Sequence, residues 1–261
     1  MKKLQLLYNY LIYRFKSTNE HGVHSPFLFD LLLGTIYNKK AFYCYRPIED
    51  LRKELMDSKK ILHCVDLGAG SLLQNKTSKS ISEIVKVAAK PEKYAQLLFR
   101  LVNHFQPATI LELGTSLGIS SAYMACANSR STVITIEGCK EIAAVAKQNF
   151  KKLEVKNIEQ LIGNFDERLP EVLKKIDQLD FVFFDGNHRK LPTINYFEQC
   201  LEKASERSVF VFDDIYWSDE MKEAWQEIKN NDRVTVTIDL FYFGIVFFRK
   251  EQVKEHFVIR Y

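Results

Sequence analysis

The chain has 261 residues, of which 46% are hydrophobic and 27% are charged, proportions typical of a soluble globular enzyme. This length can hold one large α/β domain or a core with an added extension. No apolar run reaches the roughly 18–20 residues that a membrane-spanning helix needs. The five cysteines have no CxxC spacing, which predicts reduced thiols and a cytoplasmic location.

The net charge of +4 is unevenly distributed along the chain. Residues 1–107 carry 17 Lys and Arg against 9 Asp and Glu, whereas residues 108–261 carry 20 against 24. A basic front segment can attract nucleic acid, an anionic substrate or a membrane surface. A solvated lysine face is the simpler interpretation, and we favour it.

The first segment of the chain predicts an amphipathic helix. Six apolar side chains recur at helical spacing and define one face: Leu4, Leu7, Tyr8, Leu11, Ile12 and Phe15. We expect this face to pack on the domain or on a partner subunit, which allows a homodimer. Binding of the helix to a membrane surface is the less favoured alternative.

Residues 1–89 predict a mainly helical extension that caps the active site. Within it, the stretch Asp66–Gly70 (DLGAG) resembles a nucleotide-binding turn. A cofactor turn should be followed by a helix and a second strand that ends in an acid about 20 residues on. A polar basic segment and a long helical run from Ile81 to Phe105 follow instead. We therefore interpret Asp66–Ser71 as a loop and not as the cofactor turn.

From Pro107 onward, strand and helix patterns alternate five times before a closing antiparallel hairpin. The predicted strands are Thr109–Leu113, Thr132–Glu137, Ile158–Ile162, Leu179–Asp185, Ser208–Asp213, Val234–Asp239 and Gly244–Phe248. This alternation predicts a Rossmann-like α/β domain over residues 90–261, with a seven-stranded, mostly parallel sheet covered by helices on both faces. Ligands bind at the carboxyl ends of the strands in such sheets.

The stretch Thr109–Ser121, reading TILELGTSLGISS, predicts a buried strand that ends in a tight turn. Gly114 and Gly118 suit a turn in which the backbone meets a ligand. The GxGxxG pattern is absent, which disfavours an NAD enzyme. Glu137 ends the second strand, 23 residues after Gly114. A carboxylate at that depth can accept both hydroxyls of a ribose.

A succession of motifs then resembles one enzyme family. The runs ELGTSLGISS, ITIEG, GNFDERLP, FVFFDGNH and VFDDIYW resemble class I S-adenosylmethionine-dependent methyltransferases, over about residues 90–249. Within that class they are most similar to metal-dependent O-methyltransferases of the catechol type and to those that methylate macrolide sugars. The resemblance implies S-adenosylmethionine as cofactor and a small-molecule hydroxyl as methyl acceptor.

The resemblance also implies the cofactor-binding residues. They are Glu112, Gly114, Gly118, Ser120, Glu137, Asn164, Phe165, Asp166 and Asp185. Ser120 would contact the methionine carboxylate, and Glu137 would bind the ribose. Asn164 and Phe165 would flank the adenine, with Asp166 near its amino group.

Asp185, Asp213 and Asp214 match the metal-binding acids of these enzymes. Oxygen ligands suit Mg²⁺, with Mn²⁺ or Ca²⁺ as substitutes. Catechol-type enzymes usually carry Asp-Asn at the last pair, so Asp214 departs from the pattern. The additional carboxylate could tighten cation binding, or it could point elsewhere.

His188 lies three residues after Asp185, where the macrolide sugar enzymes carry a catalytic histidine and catechol-type enzymes a lysine. Methylation of a hydroxyl requires its oxygen to be deprotonated and held in line with the methyl group. A divalent ion lowers the hydroxyl pKa and orients the oxygen, and an imidazole can take the proton at neutral pH. Asp185 and His188 are therefore the predicted catalytic residues.

Two other functions compete with this prediction. The basic front half would suit a methyltransferase that acts on nucleic acid or protein, but the [DNS]PP[YFW] signature of amino-group methylation is absent where DGNH stands. A non-catalytic S-adenosylmethionine-binding module is the other alternative. It does not explain the clustered carboxylates or His188. We therefore expect a small-molecule acceptor as the partner, not nucleic acid.

Overall fold

The computed structural model describes residues 2–63 and 78–261, and the predicted loop Asp66–Ser71 lies outside them. The α-helices of the described part are α1 (Lys2–Lys16), α2 (Pro26–Leu31), α3 (Tyr45–Asp57), α4 (Ile81–Ala88), α5 (Glu92–Phe105), α6 (Ile119–Ala127), α7 (Lys140–Lys152), α8 (Phe165–Lys175), α9 (Lys190–Leu201) and α10 (Asp219–Asn230). A short 3₁₀-helix covers Glu20–Gly22, and a π-helical turn, Leu32–Ile36, continues α2.

The strands of the described part are β1 (Ile61–His63), β2 (Ser78–Ser80), β3 (Thr109–Leu113), β4 (Thr132–Glu137), β5 (Ile158–Ile162), β6 (Leu179–Phe184), β7 (Ala204–Phe212), β8 (Val236–Asp239), β9 (Gly244–Phe247) and β10 (Glu255–Val258). β1 and β2 form a small antiparallel pair. The other eight strands confirm the predicted α/β fold with a mostly parallel sheet. The sheet has eight strands and not seven, because β10 pairs in parallel with β8.

The chain divides into two compact units, and each is described by itself. The middle unit is Lys39–Ile176, and the terminal unit combines Met1–Asn38 with Asp177–Tyr261. The division predicted from the sequence, between residues 1–89 and 90–261, stays a prediction, as does the capping role of the extension.

In the middle unit, β3, β4 and β5 run parallel in that order. Apolar and β-branched residues dominate β3 and β4, as is expected of strands covered on both faces. Helices α3 to α6 contribute to a buried cluster that includes Ile48, Phe99 and Tyr123. The Tyr123 hydroxyl donates to Glu49 at 2.8 Å, so the phenol has a partner inside this packing.

In the terminal unit, the strand order is β10-β8-β9-β7-β6. β8 and β9 form the predicted antiparallel hairpin. β6 and β7 are parallel, and Phe184 pairs with Phe212 at their carboxyl ends. Their rings stack with centroids 4.3 Å apart, so the two strand ends are held side by side.

Helix α1 packs on the terminal unit by the side opposite to the predicted apolar face. Tyr13 is only 2% exposed and its hydroxyl donates to the backbone carbonyl of Ile259. The face containing Leu4 and Phe15 was predicted to pack on the domain or on a partner subunit. The first alternative was wrong, because these side chains are 73% and 92% exposed, and the second stays a prediction. Within residues 2–63 and 78–261, no helix combines the length and apolarity required to cross a bilayer.

Two smaller expectations also need correction. The helical run predicted from Ile81 to Phe105 is two helices, because Pro91 separates α4 from α5. Cys44, Cys126 and Cys200 are free thiols as predicted, whereas Cys139 is disulfide-bonded.

The turn before α6 depends on a glycine. Gly118 has a φ of +81°, and a Cβ added there would lie 2.4 Å from Cε1 of Phe150. We expect Gly118→Ala to lower the free energy of unfolding by about 2–3 kcal/mol, from backbone strain and overpacking. Gly34→Ala is the matched control, because nothing lies within 4 Å of its added Cβ. Urea denaturation should show that the control is unchanged or more stable; an equal loss in both variants would contradict this account.

Candidate active site

The turn after β3 bends over the end of β4. The backbone N–H groups of Gly114 and Thr115 both donate to the carbonyl of Ile136, at 3.0 and 3.2 Å. Gly114 and Gly118 have φ values of +109° and +81°, which favour glycine. Both glycines predicted from the sequence therefore shape this turn, and α6 begins directly after it.

Glu137 closes the turn from the end of β4. Its Oε2 accepts the backbone N–H of Ser116, and its Oε1 accepts that of Cys139, each at 2.9 Å. An ionised carboxylate offers about four lone-pair positions, so both oxygens keep acceptor capacity. The half-buried carboxylate is thus held in a fixed orientation by two backbone donors.

Glu112, predicted to bind the cofactor, lies in a buried hydrogen-bond network. It is fully buried in β3 and accepts hydrogen bonds from Ser120 at 2.5 Å, from Thr135 at 2.7 Å and from Ser121. These three hydroxyls tie β3 to β4 and to the first turn of α6. The Ser120 hydroxyl, predicted to contact the methionine carboxylate, donates to Glu112. Contact of either residue with the cofactor stays a prediction.

The hydrogen bonds to Glu112 predict different losses of stability for two substitutions of this residue. Glu112→Leu should lower the free energy of unfolding by about 3 kcal/mol or more, because three buried hydroxyls lose their acceptor. Glu112→Gln should cost about 1 kcal/mol, because the amide keeps one acceptor oxygen and the hydroxyls can rotate. Urea unfolding measures both. Equal stability of the two variants would show that the carboxylate does not hold this turn together.

The loop after β5 places the predicted adenine-binding residues at the start of α8. The Asn164 side chain accepts the backbone N–H of Asp166 at 3.2 Å and so caps the helix. Phe165 is half-buried, whereas Asp166 is exposed in the first turn. The structure gives Asn164 a capping role, and the adenine contacts of these three residues stay predictions.

In the terminal unit, two carboxylates and an imidazole form one cluster. Asp185 follows β6, Asp213 follows β7, and His188 stands in the loop after β6. One ligand atom from each lies within 4.8 Å of the others, and the distance from Asp185 Oδ1 to His188 Nε2 is 3.8 Å. Asp213 is only 1% exposed. We call these three residues the acid–histidine cluster.

Asp214 does not belong to this cluster. Its φ is +54°, in the left-handed region, and its carbonyl accepts the N–H of Trp217 at 2.9 Å. The structure thus brings together Asp185 and Asp213 of the predicted metal set and adds His188 in place of Asp214. The role of Asp214 as a metal ligand stays a prediction.

The donor set of the acid–histidine cluster fits a divalent cation. Two carboxylates that converge on one point repel each other unless a cation or a proton neutralises them. Carboxylates suit Mg²⁺, whereas an imidazole as a third ligand suits Mn²⁺ or another transition metal. If His188 instead stays outside the coordination sphere, Asp185 and Asp213 present the oxygen-only set predicted for Mg²⁺.

Comparison with known proteins shows what the chain is similar to. Residues 111–215 match the family model described as a methyltransferase domain. A catechol O-methyltransferase of Bos taurus is 32% identical over 115 residues, which are 42% of this chain and 42% of that protein. The chain thus aligns with about two fifths of the length of the curated relatives it matches.

Solved structures match over a larger part of the chain. An O-methyltransferase from Bacillus cereus, in complex with SAH, has a TM-score of 0.57 at 17% identity and covers 80% of this chain and 92% of its own. The O-methyltransferase from Streptomyces achromogenes involved in tomaymycin synthesis, in complex with SAM, has a TM-score of 0.55 at 19% identity, with coverages of 85% and 95%.

Together these findings show what the fold and the matched segment of the chain resemble. The fold resembles that of the solved methyltransferases, and the matched segment runs from within β3 to the residues that follow β7. The predicted resemblance to S-adenosylmethionine-dependent O-methyltransferases is confirmed. Two catechol O-methyltransferases, of Bos taurus and of Mus musculus, are each 32% identical to this chain, over 115 and 111 residues.

Proposed function

We propose that the protein transfers a methyl group from S-adenosylmethionine to a hydroxyl of a small molecule, with the help of a divalent cation. The observation that carries this proposal is the acid–histidine cluster, in a chain whose matched segment is a methyltransferase domain. Such a cluster offers both functions that O-methylation requires: cation ligands and a base.

The methyl donor is assigned to the middle unit. The turn at Gly114 and Gly118 would face the methionine part, and the Glu137 carboxylate would accept the ribose hydroxyls. Glu137 is already oriented by two backbone N–H groups, so little ordering remains when the donor binds. The SAM and SAH complexes of the fold neighbours support this choice of cofactor.

The acceptor hydroxyl is assigned to the acid–histidine cluster. Asp185 and Asp213 would hold the cation, which supplies a Lewis acid that lowers the hydroxyl pKa. His188 would take the hydroxyl proton at Nε2, and the 3.8 Å contact with Asp185 would stabilise the resulting imidazolium. The deprotonated acceptor oxygen would then attack the methyl carbon of S-adenosylmethionine. The bond from this carbon to the sulfonium sulfur would break and leave a neutral thioether.

A small molecule is the favoured acceptor over nucleic acid or protein. The relatives at 32% identity are named for catechol, which is a small molecule. The basic residues of the front half are spread over several helices, which suits a solvated surface. A cytoplasmic location and a homodimer stay predictions alongside this function.

Turnover with small hydroxyl acceptors tests the proposal. The full chain, S-adenosylmethionine and Mg²⁺ or Mn²⁺ are incubated with panels of catechols, sugars and primary amines, and S-adenosylhomocysteine is quantified. We expect product with one hydroxyl panel and none with the amines. Failure of the protein to bind S-adenosylmethionine in calorimetry would overturn the proposal, and methylation of amines alone would overturn the assigned chemistry.

Glu137→Ala is expected to weaken S-adenosylmethionine binding by about 10- to 100-fold. The loss of one hydrogen bond to a charged acceptor costs about 1.5–3 kcal/mol net, which corresponds to this range. Isothermal titration calorimetry measures the change. Glu159→Ala is the matched control, because this glutamate lies in the neighbouring strand β5 and is exposed. Unchanged affinity in Glu137→Ala would remove the residue from the donor site.

A further inference from the structure

Helix α1 carries a continuous apolar surface that the rest of the described chain does not cover. The side chains of this exposed stripe, with their exposed fractions, are Leu4 (73%), Leu7 (55%), Tyr8 (60%), Leu11 (59%) and Phe15 (92%). Their spacing of three and four residues places them along one side of the helix. A contiguous apolar stripe on a surface helix indicates an interaction site, whereas single exposed apolar side chains are common on protein surfaces.

The opposite side of α1 is firmly attached to the terminal unit. The Tyr13 hydroxyl donates to the carbonyl of Ile259 and accepts the N–H of Tyr261 at 3.0 Å. The rings of Tyr10 and Phe241 meet edge to face, with centroids 5.1 Å apart. Because these contacts fix the rotation of the helix, the exposed stripe is held outward and cannot turn into the core.

The charges of α1 favour an anionic partner for the exposed stripe over a second copy of the chain. The helix has four cationic residues, Lys2, Lys3, Arg14 and Lys16, and no acidic one. Arg14 and Lys16 are exposed on either side of Phe15 in the sequence. Two copies of the helix packed along their stripes would bring like charges together, which costs free energy. The apolar stripe and the cations of α1 fit a partner with an anionic surface over an apolar interior. An anionic lipid bilayer has this arrangement.

We propose that the exposed stripe binds the surface of an anionic membrane. The helix would lie in the plane of the interface, with the leucines and Phe15 in the acyl boundary and the cations at the headgroups. The Tyr8 ring suits this depth, because its body is apolar and its hydroxyl is polar. This binding requires neither a spanning segment nor methyl transfer.

Vesicle flotation with the full chain tests the proposal. The vesicles contain phosphatidylcholine alone or phosphatidylcholine with phosphatidylglycerol. We expect binding to the mixed vesicles at least about tenfold stronger than to the neutral ones, and weaker in high salt. The double variant Leu11→Gln, Phe15→Gln should reduce binding about tenfold or more. Leu191→Gln is the matched control, because this leucine is 79% exposed on α9 and outside the stripe.

The possible results separate the membrane from a second copy of the chain. The double variant should keep the wild-type circular dichroism spectrum, since both of its side chains are exposed, and it should have the wild-type sedimentation coefficient. Absence of binding to the anionic vesicles, or an equal loss in Leu191→Gln, would overturn the proposal. A wild-type dimer that the double variant converts to monomer would also overturn it and assign the stripe to self-association.

Discussion

Asp185→Asn is expected to reduce turnover about 10³-fold or more, a much larger loss than any that it causes in S-adenosylmethionine binding. The substitution removes one of two buried or half-buried carboxylates that face the same point, so the cation loses a charged ligand. Lewis-acid assistance supplies several kcal/mol, and each 1.4 kcal/mol is a factor of ten in rate. Chelation of the wild-type protein with EDTA should reproduce the loss, and added Mg²⁺ or Mn²⁺ should reverse it.

Asp214→Asn is the matched control for this prediction. It replaces a neighbouring aspartate by the same amide and produces the Asp-Asn pair usual in catechol-type enzymes. Because Asp214 lies outside the acid–histidine cluster, we expect cation affinity within about threefold of the wild type, the range of a lost distant charge. Titration with Mn²⁺, followed by electron paramagnetic resonance, measures the affinity of each variant. Equal losses in Asp185→Asn and Asp214→Asn would restore the three-acid site predicted from the sequence.

Turnover that persists in EDTA would contradict the proposed cation site. It would remove the cation from the proposed function and leave His188 as the base. Donor binding, measured separately by calorimetry, decides whether the methyltransferase assignment itself stands. The two measurements therefore distinguish a failed metal site from a failed enzyme class.

The strands of the sheet could be predicted because their physical cause is local. Buried parallel strands such as β3 and β6 are short apolar runs between helix patterns, and their bounds agree with the prediction within a residue. β10 was missed for the same reason. Its residues EHFV are mixed in polarity, and two are exposed, as on the edge of a sheet. No apolar run marks such a strand.

The orientation of α1 could not be predicted because it depends on distant parts of the chain. Helical periodicity identifies an apolar side but not which side meets the body. The partners of Tyr13 are Phe241 and the backbone of Ile259, more than 200 residues away. The hydroxyl network around Glu112 was missed in the same way. Ser121 and Thr135 carry no signal that separates a buried donor from an ordinary helix or strand residue.

The acid–histidine cluster was predicted in part. The positions of Asp185 and Asp213 after two strands indicated that they meet at one edge, since β6 and β7 are neighbours in parallel. The sequence did not show that the backbone at Asp214 adopts a φ of +54°. Nor did it show that the His188 ring reaches Asp185 at 3.8 Å. Both depend on loop conformation, which side-chain type alone does not determine.

His188→Gln is expected to lower kcat by about 10²- to 10⁴-fold, the usual contribution of a general base. Turnover is measured as release of S-adenosylhomocysteine by the wild type and the variant. Cation affinity should fall much less than in Asp185→Asn, because a base outside the coordination sphere contacts the ligand Asp185 but is not itself a ligand.

His21→Gln is the matched control, since this imidazole belongs to the same unit and its side chain is 82% exposed. Its kcat should equal that of the wild type. A large loss of Mn²⁺ affinity in His188→Gln would contradict the role of base and make the imidazole a cation ligand. The cluster would then bind its cation through two carboxylates and one nitrogen, a donor set that favours Mn²⁺ over Mg²⁺. The metal preference of the enzyme therefore follows from which role His188 has.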